Sequence, residues 1–153
     1  QVDDDFETKV DLVCDAYVPA SYIKNESIKM DVYKRIAGIE TLEEYEDMQD
    51  ELIDRFGDIP NQVENLLQVV LLKAAAHKAY VTEISGNKKK IKLTMWNQAK
   101  VDTARIPILV REYKGRLKFI PGDTPGFEYS PKQGNESVIQ LAEKLIESLS
   151  TLQ

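Results

Sequence analysis

Apolar positions recur along this chain in two rhythms, and the rhythm changes near Tyr80. Residues 8–16 alternate, with Val10, Leu12, Cys14 and Ala16 on one side and Lys9, Asp11 and Asp15 on the other. That period of two predicts a half-buried strand. Residues 17–23, interrupted by Pro19, read as a connector. From Asn25 the period lengthens to that of a helix. Asn25 is the expected N-cap, Glu26 sits in the first turn and Gly38 is the stop. Ile28, Val32 and Ile36, with Tyr33 beside them, form the predicted buried stripe. Thr41-Leu42-Glu43-Glu44 spells a capping box, in which hydroxyl and carboxylate satisfy two orphan amides reciprocally. Leu42, Tyr45, Met48, Leu52, Ile53 and Phe56 then share one face at 100° per residue, and Gly57 ends the helix. Pro60 introduces a third helix over 61–78, with Val63, Leu66, Leu67, Val70, Leu71 and Ala74 inward.

Beyond Tyr80 short alternating runs dominate. Residues 79–84 and 90–95 read as strands, joined by the turn chemistry of Ser85-Gly86-Asn87. Asp102 is placed to cap a short helix carrying Ile106, Leu109, Val110 and Tyr113, ended by Gly115, with Pro107 tolerable only in its first turn. Residues 116–120 and 127–129 form two more strands around Pro121-Gly122-Asp123. A final helix over 135–150 buries Val138, Leu141, Leu145, Ile146 and Leu149. The pattern therefore predicts an α+β fold: a helical lobe (25–78) followed by a small mixed sheet with flanking helices (79–153), in a single compact domain. Residues 1–7 read as a polar leader ahead of a domain over 8–153.

Composition narrows the class. A chain of 153 residues, 42% hydrophobic and 30% charged, has the make-up of one globular domain with a real core. No stretch of about 18 apolar residues is present to span a membrane, and no signal peptide opens the chain. Gln1 in place of Met suggests a fragment or trimmed product. One cysteine forms no internal disulfide, which together with the missing signal points to the cytoplasm. Charge is unevenly spread: residues 1–76 hold 18 acids against 7 bases, and residues 77–153 hold 8 acids against 13 bases. The net charge of −6 argues against a dedicated nucleic-acid binder.

Catalytic chemistry finds little footing. There is no phosphate-binding Gly-x4-Gly-Lys-Ser/Thr and no Gly-x-Gly-x-x-Gly. His77 is the single histidine and Cys14 the single cysteine, far apart and each in a structural register, so neither a zinc site nor a nucleophile–base pair is assembled. The reading assigns no catalytic residue, no cofactor and no metal. Two charge clusters remain. Lys88, Lys89, Lys90 and Lys92 lie at the hairpin tip, either as a solvated edge-protecting turn or as a phosphate contact. On the second helix Glu43, Asp47, Asp50, Glu51 and Asp54 group opposite the apolar face, and the like-charged pairs 43/47, 47/51 and 50/54 each cost roughly 0.2–0.5 kcal/mol. That face is either a solubility device or a docking surface for an arginine- or lysine-bearing partner.

Three phrases in order, DAYVPASYI (15–23), MDVYKRIA (30–37) and ELIDRFGDIP (51–60), carry a resemblance. Together they are similar to the C-terminal domain of bacterial transcription-repair coupling factor (Mfd). The similarity is specific over about 10–72 and thin afterwards, where only RLKF (116–119) matches. The resemblance implies a parent that is an ATP-driven DNA translocase, whose motor lies upstream. Such a parent displaces stalled RNA polymerase and recruits the excision-repair protein UvrA. It further implies a non-catalytic autoinhibitory role for this domain, docked on an N-terminal UvrB-like module of the same parent and masking its UvrA-binding surface. Carried over residue by residue, it names Glu51 and Asp54 as interface residues, with Asp47 and Asp50 on the same charged face. The alternative reading is a nucleic-acid-binding accessory module that uses the Lys88–Lys92 hairpin.

Overall fold

Asn25 opens the first helix as the spacing predicts, its side-chain oxygen accepting the Ile28 N–H at 3.0 Å. This helix, α1 (Glu26–Ala37), is followed in the computed structural model, which describes residues 6–152, by α2 (Leu42–Phe56) and α3 (Asn61–Lys78). Residues 1–5 of the expected leader lie outside the described residues. The chain divides into two compact units, one over 14–74 and one combining 6–13 with 75–152. The first is all helical. Its core is Val18, Ile23, Val32, Ile36, Ile39, Met48, Leu52, Val63 and Leu67, with Tyr22, Tyr33, Tyr45 and Phe56 packed around it.

Two aromatic hydroxyls tie the connector into this core. Tyr33 Oη accepts the Val18 N–H at 2.7 Å, which holds residues 17–23 over α1. Tyr22 Oη lies 3.1 Å from the Leu52 carbonyl and 2.9 Å from that of Gly57, so its proton ties the connector to the last turn of α2 and the residue that ends it. Gly57 there has φ 90°, a conformation that favours a residue without a side chain.

The second unit is a five-stranded sheet with two helices. In chain order its elements are β1 (Lys9–Leu12), β2 (Val81–Gly86), β3 (Ile91–Met95), α4 (Ile106–Glu112), β4 (Leu117–Ile120), β5 (Gly126–Tyr129) and α5 (Val138–Leu149). The spatial order is β1-β2-β3-β5-β4, with β1 parallel to β2 and every other pair antiparallel. Register places Ile84, Leu93 and Phe127 side by side in the buried layer, with Ile91 and Leu117 in the adjacent row. The opposite face carries Asp11, Ser85, Lys92, Glu128 and Lys118 in one row across all five strands. Ser137 caps α5 in a second capping box with Gln140, and seven of the helix's twelve residues are buried.

The fold class is α+β, as the pattern predicts. Several details differ. The first strand covers 9–12, not 8–16: after Leu12 the pairing with β2 ends, Val13 is 72% exposed, and Cys14 is half-buried instead of inward. Ile28 lies on the rim of α1 at 37% exposure, because the helix buries the side centred on Val32 and Ile36. The hairpin turn is Asn87–Lys90, where Asn87 Oδ1 accepts the N–H groups of Lys89 and Lys90. Its entry needs Gly86, at φ 126°, since a Cβ there would lie 2.1 Å from the Lys90 carbonyl oxygen. Phe6, expected in a polar leader, is stacked between His77 and Trp96, with centroids at 4.3 and 4.8 Å.

Candidate partner-docking surface

The capping box that starts α2 forms as read: Thr41 Oγ1 accepts the Glu44 N–H and Glu44 Oε1 accepts the Thr41 N–H, both at 3.1 Å. This fixes the rotation of α2 from its first turn. Met48 and Leu52 are buried, with Tyr45 and Phe56 half-buried on the same side. Leu42 and Ile53, expected inward, are 60% and 48% exposed. The buried centre lies on the Met48–Leu52 line, so the Leu42–Ile53 edge falls outside the contact with neighbouring helices. The consequence is an outward face in which two apolar side chains run beside the acidic residues Glu43, Glu46, Asp47, Asp50 and Asp54, all exposed.

The four interface candidates separate into two kinds. Asp47, Asp50 and Asp54 have no ion-pair partner among the described residues. Glu51 is differently placed. Both its oxygens accept from the guanidinium of Arg35 on α1, and Oε2 accepts from Arg55 Nη1, one turn along α2, at 3.1 Å. These hydrogen bonds, those from Arg35 foremost, lower the Glu51 pKa to about 2. Arg55 in turn lies 4.8 Å from the Phe56 ring centroid, so its side chain is held from two sides. A shallow groove between α1 and α2, lined by Lys34, Arg35, Gly38, Ile39, Asp47 and Glu51, brings cations next to the acidic ridge. Arg55 is four residues from Glu51 on the same helix, a pairing that helical spacing permits, whereas Arg35 belongs to a different helix and is out of reach of that spacing.

The lysine cluster is largely engaged within the sheet unit. Lys90 and Lys92 lie 3.6 and 3.9 Å from the Glu128 carboxylate, and Lys88 Nζ donates to the Gly134 carbonyl at 3.0 Å. Glu128 stands opposite Lys92 in the β3–β5 register, which supplies the physical reason. His77 Nδ1 lies 3.2 Å from Thr8 Oγ1, whose own proton goes to the Val81 carbonyl at 2.7 Å. The Cys14 thiol pKa is raised, by burial first and by Asp15 second, which is the opposite of nucleophile activation. Among the described residues no group of three His, Cys, Asp or Glu is positioned for a metal ion, and no helix is long and apolar enough to cross a membrane.

The family model of the TRCF domain matches residues 12–106, which takes in the whole helical unit and the face just described. The chain belongs to the TRCF domain family. It is 40% identical over 97 residues to a transcription-repair-coupling factor of Bacillus subtilis, and 44% identical over 93 residues to one of Staphylococcus haemolyticus. These alignments cover 63% and 61% of the chain and 8% of each relative, so the chain spans about a twelfth of their length. A crystal structure of the C-terminal domain of transcription-repair coupling factor superposes with a TM-score of 0.74 at 26% identity, covering 96% of this chain and 94% of that one. The TRCF fold therefore extends through the second half, where the sequence phrases are thin.

Proposed function

We propose that this chain is a non-catalytic, autoinhibitory docking domain of a transcription-repair coupling factor. It packs the acidic face of α2 on a UvrB-like N-terminal module of its parent and masks the surface through which the parent recruits UvrA. The parent, in this reading, is a cytoplasmic ATP-dependent DNA translocase that acts on stalled RNA polymerase in nucleotide excision repair. The observation that carries the reading is the ridge of Asp47, Asp50 and Asp54, exposed, without ion-pair partners among the described residues, and bordered by the exposed apolar Leu42 and Ile53. Partnerless like charges at four-residue spacing cost the isolated helix stability, and a basic partner surface converts that cost into attraction.

Weak contacts suffice for such a role. A tether supplies an effective concentration of up to about millimolar, and holding a closed state at about 99:1 needs only roughly 2.7 kcal/mol. The test is UvrA titration of the full-length parent without DNA or polymerase. Asp50→Lys with Asp54→Lys replaces attraction by repulsion on exposed positions, so the account predicts UvrA affinity at least tenfold higher than wild type. Unchanged affinity in a parent whose circular dichroism is intact contradicts it.

A further inference from the structure

Glu51 faces inward to its own domain as much as outward to a partner. A carboxylate offers about four acceptor sites, and three hydrogen bonds from Arg35 and Arg55 already occupy this one. Two guanidiniums on one carboxylate give that trio a net positive charge, while Asp47, Asp50 and Asp54 have no ion-pair partner among the described residues. A cation from a docking partner therefore meets attraction along the aspartate ridge and competition at Glu51. We infer that Arg35 restrains docking by competing with the partner's cations for Glu51. The inference rests on the docking reading above and adds a regulator to it: a residue of α1 that loosens the closed state.

Geometry makes Arg35 the effective competitor. It sits on the groove side of α1, aims its planar fork at both oxygens of Glu51, and leaves the burial of α1 to Val32 and Ile36. Its side chain is 43% exposed, so its replacement opens no core cavity. Removing it frees two acceptor sites on Glu51 and withdraws a positive charge from the path of the incoming cation. An exposed pair of this kind corresponds to a change of about two- to fivefold in an equilibrium constant.

The experiment uses the full-length parent carrying Arg35→Gln, Arg35→Lys, and Arg35→Gln combined with Glu51→Gln, each titrated with UvrA at low salt. Tighter docking lowers the population of the open, binding-competent state, so Arg35→Gln is expected to weaken UvrA binding about two- to fivefold. Arg35→Lys, which keeps the charge but loses the fork, falls between wild type and Arg35→Gln. The added Glu51→Gln abolishes the effect, which a merely structural role for Arg35 would not produce. Unchanged or tighter UvrA binding by Arg35→Gln overturns the competition. If Asp50→Lys with Asp54→Lys still opens the parent in that case, docking stands and only the competition falls. If neither set of changes moves UvrA affinity, both readings fall together.

Discussion

Glu51 accepts hydrogen bonds from two guanidiniums, and the lowering of its pKa to about 2 has a sign that stability measurements read directly. A carboxyl whose folded pKa lies below its unfolded value of about 4.3 stabilises the fold above that value, and the contribution disappears as pH falls toward 2. Because the pair is partly exposed, its worth at neutral pH is only about 0.2–1 kcal/mol. Urea midpoints measured from pH 5 to pH 2 are therefore expected to fall less steeply in Glu51→Gln than in the wild type; parallel profiles would refute the pairing. Gly126 tests packing at the same scale. A Cβ there would lie 2.5 Å from the Leu93 carbonyl oxygen, whereas one on Gly134 would meet nothing within 4 Å. Gly126→Ala is expected to cost about 1–3 kcal/mol by forcing β5 from β3, and Gly134→Ala less than about 0.5 kcal/mol. Chemical denaturation of the two variants checks the contrast, and equal losses would count against the β3–β5 register.

At the scale of the element, α2 carries the account, and its two edges make opposite predictions. Leu52 is 1% exposed, so Leu52→Ala is expected to cost about 2–5 kcal/mol, while Ile53→Ala, one residue on at 48% exposure, costs less than about 0.5 kcal/mol. Comparable losses from the two would mean that the helix is rotated from the position described. The caps and the period of this helix were legible because they are local: the Thr41–Glu44 box, the three- and four-residue spacing and Gly57 all lie within the helix itself. Which part of a six-residue apolar face is buried is a property of the neighbours, and spacing assigned Leu42 and Ile53 to the core because it holds no information about them. The same limit hid Arg35 from Glu51 and Glu128 from the lysine hairpin, since both pairings cross between elements distant in sequence. Ser137-Val-Ile-Gln140, by contrast, is a readable capping signal, and its detection would have set the start of the last helix at 138 in place of 135.

For the molecule as a whole, the α+β class followed from the change of period near Tyr80, but the sheet order did not. β1 pairs in parallel with β2 although more than sixty residues separate them, and no alternation pattern specifies a partner at that distance. The charge asymmetry was visible in the counts, and its structural form is an acidic helix face in one unit and a sheet face of alternating sign in the other. In the proposed function the domain would restrain its parent through the α2 face, with Asp47, Asp50 and Asp54 attracting a basic module and Arg35 moderating the grip on Glu51. The most direct measurement is the affinity of the full-length parent for UvrA, with and without this chain, in the absence of DNA and polymerase. A closed state populated at about 99:1 predicts that deletion raises the affinity about a hundredfold. Equal affinities would contradict the masking role outright.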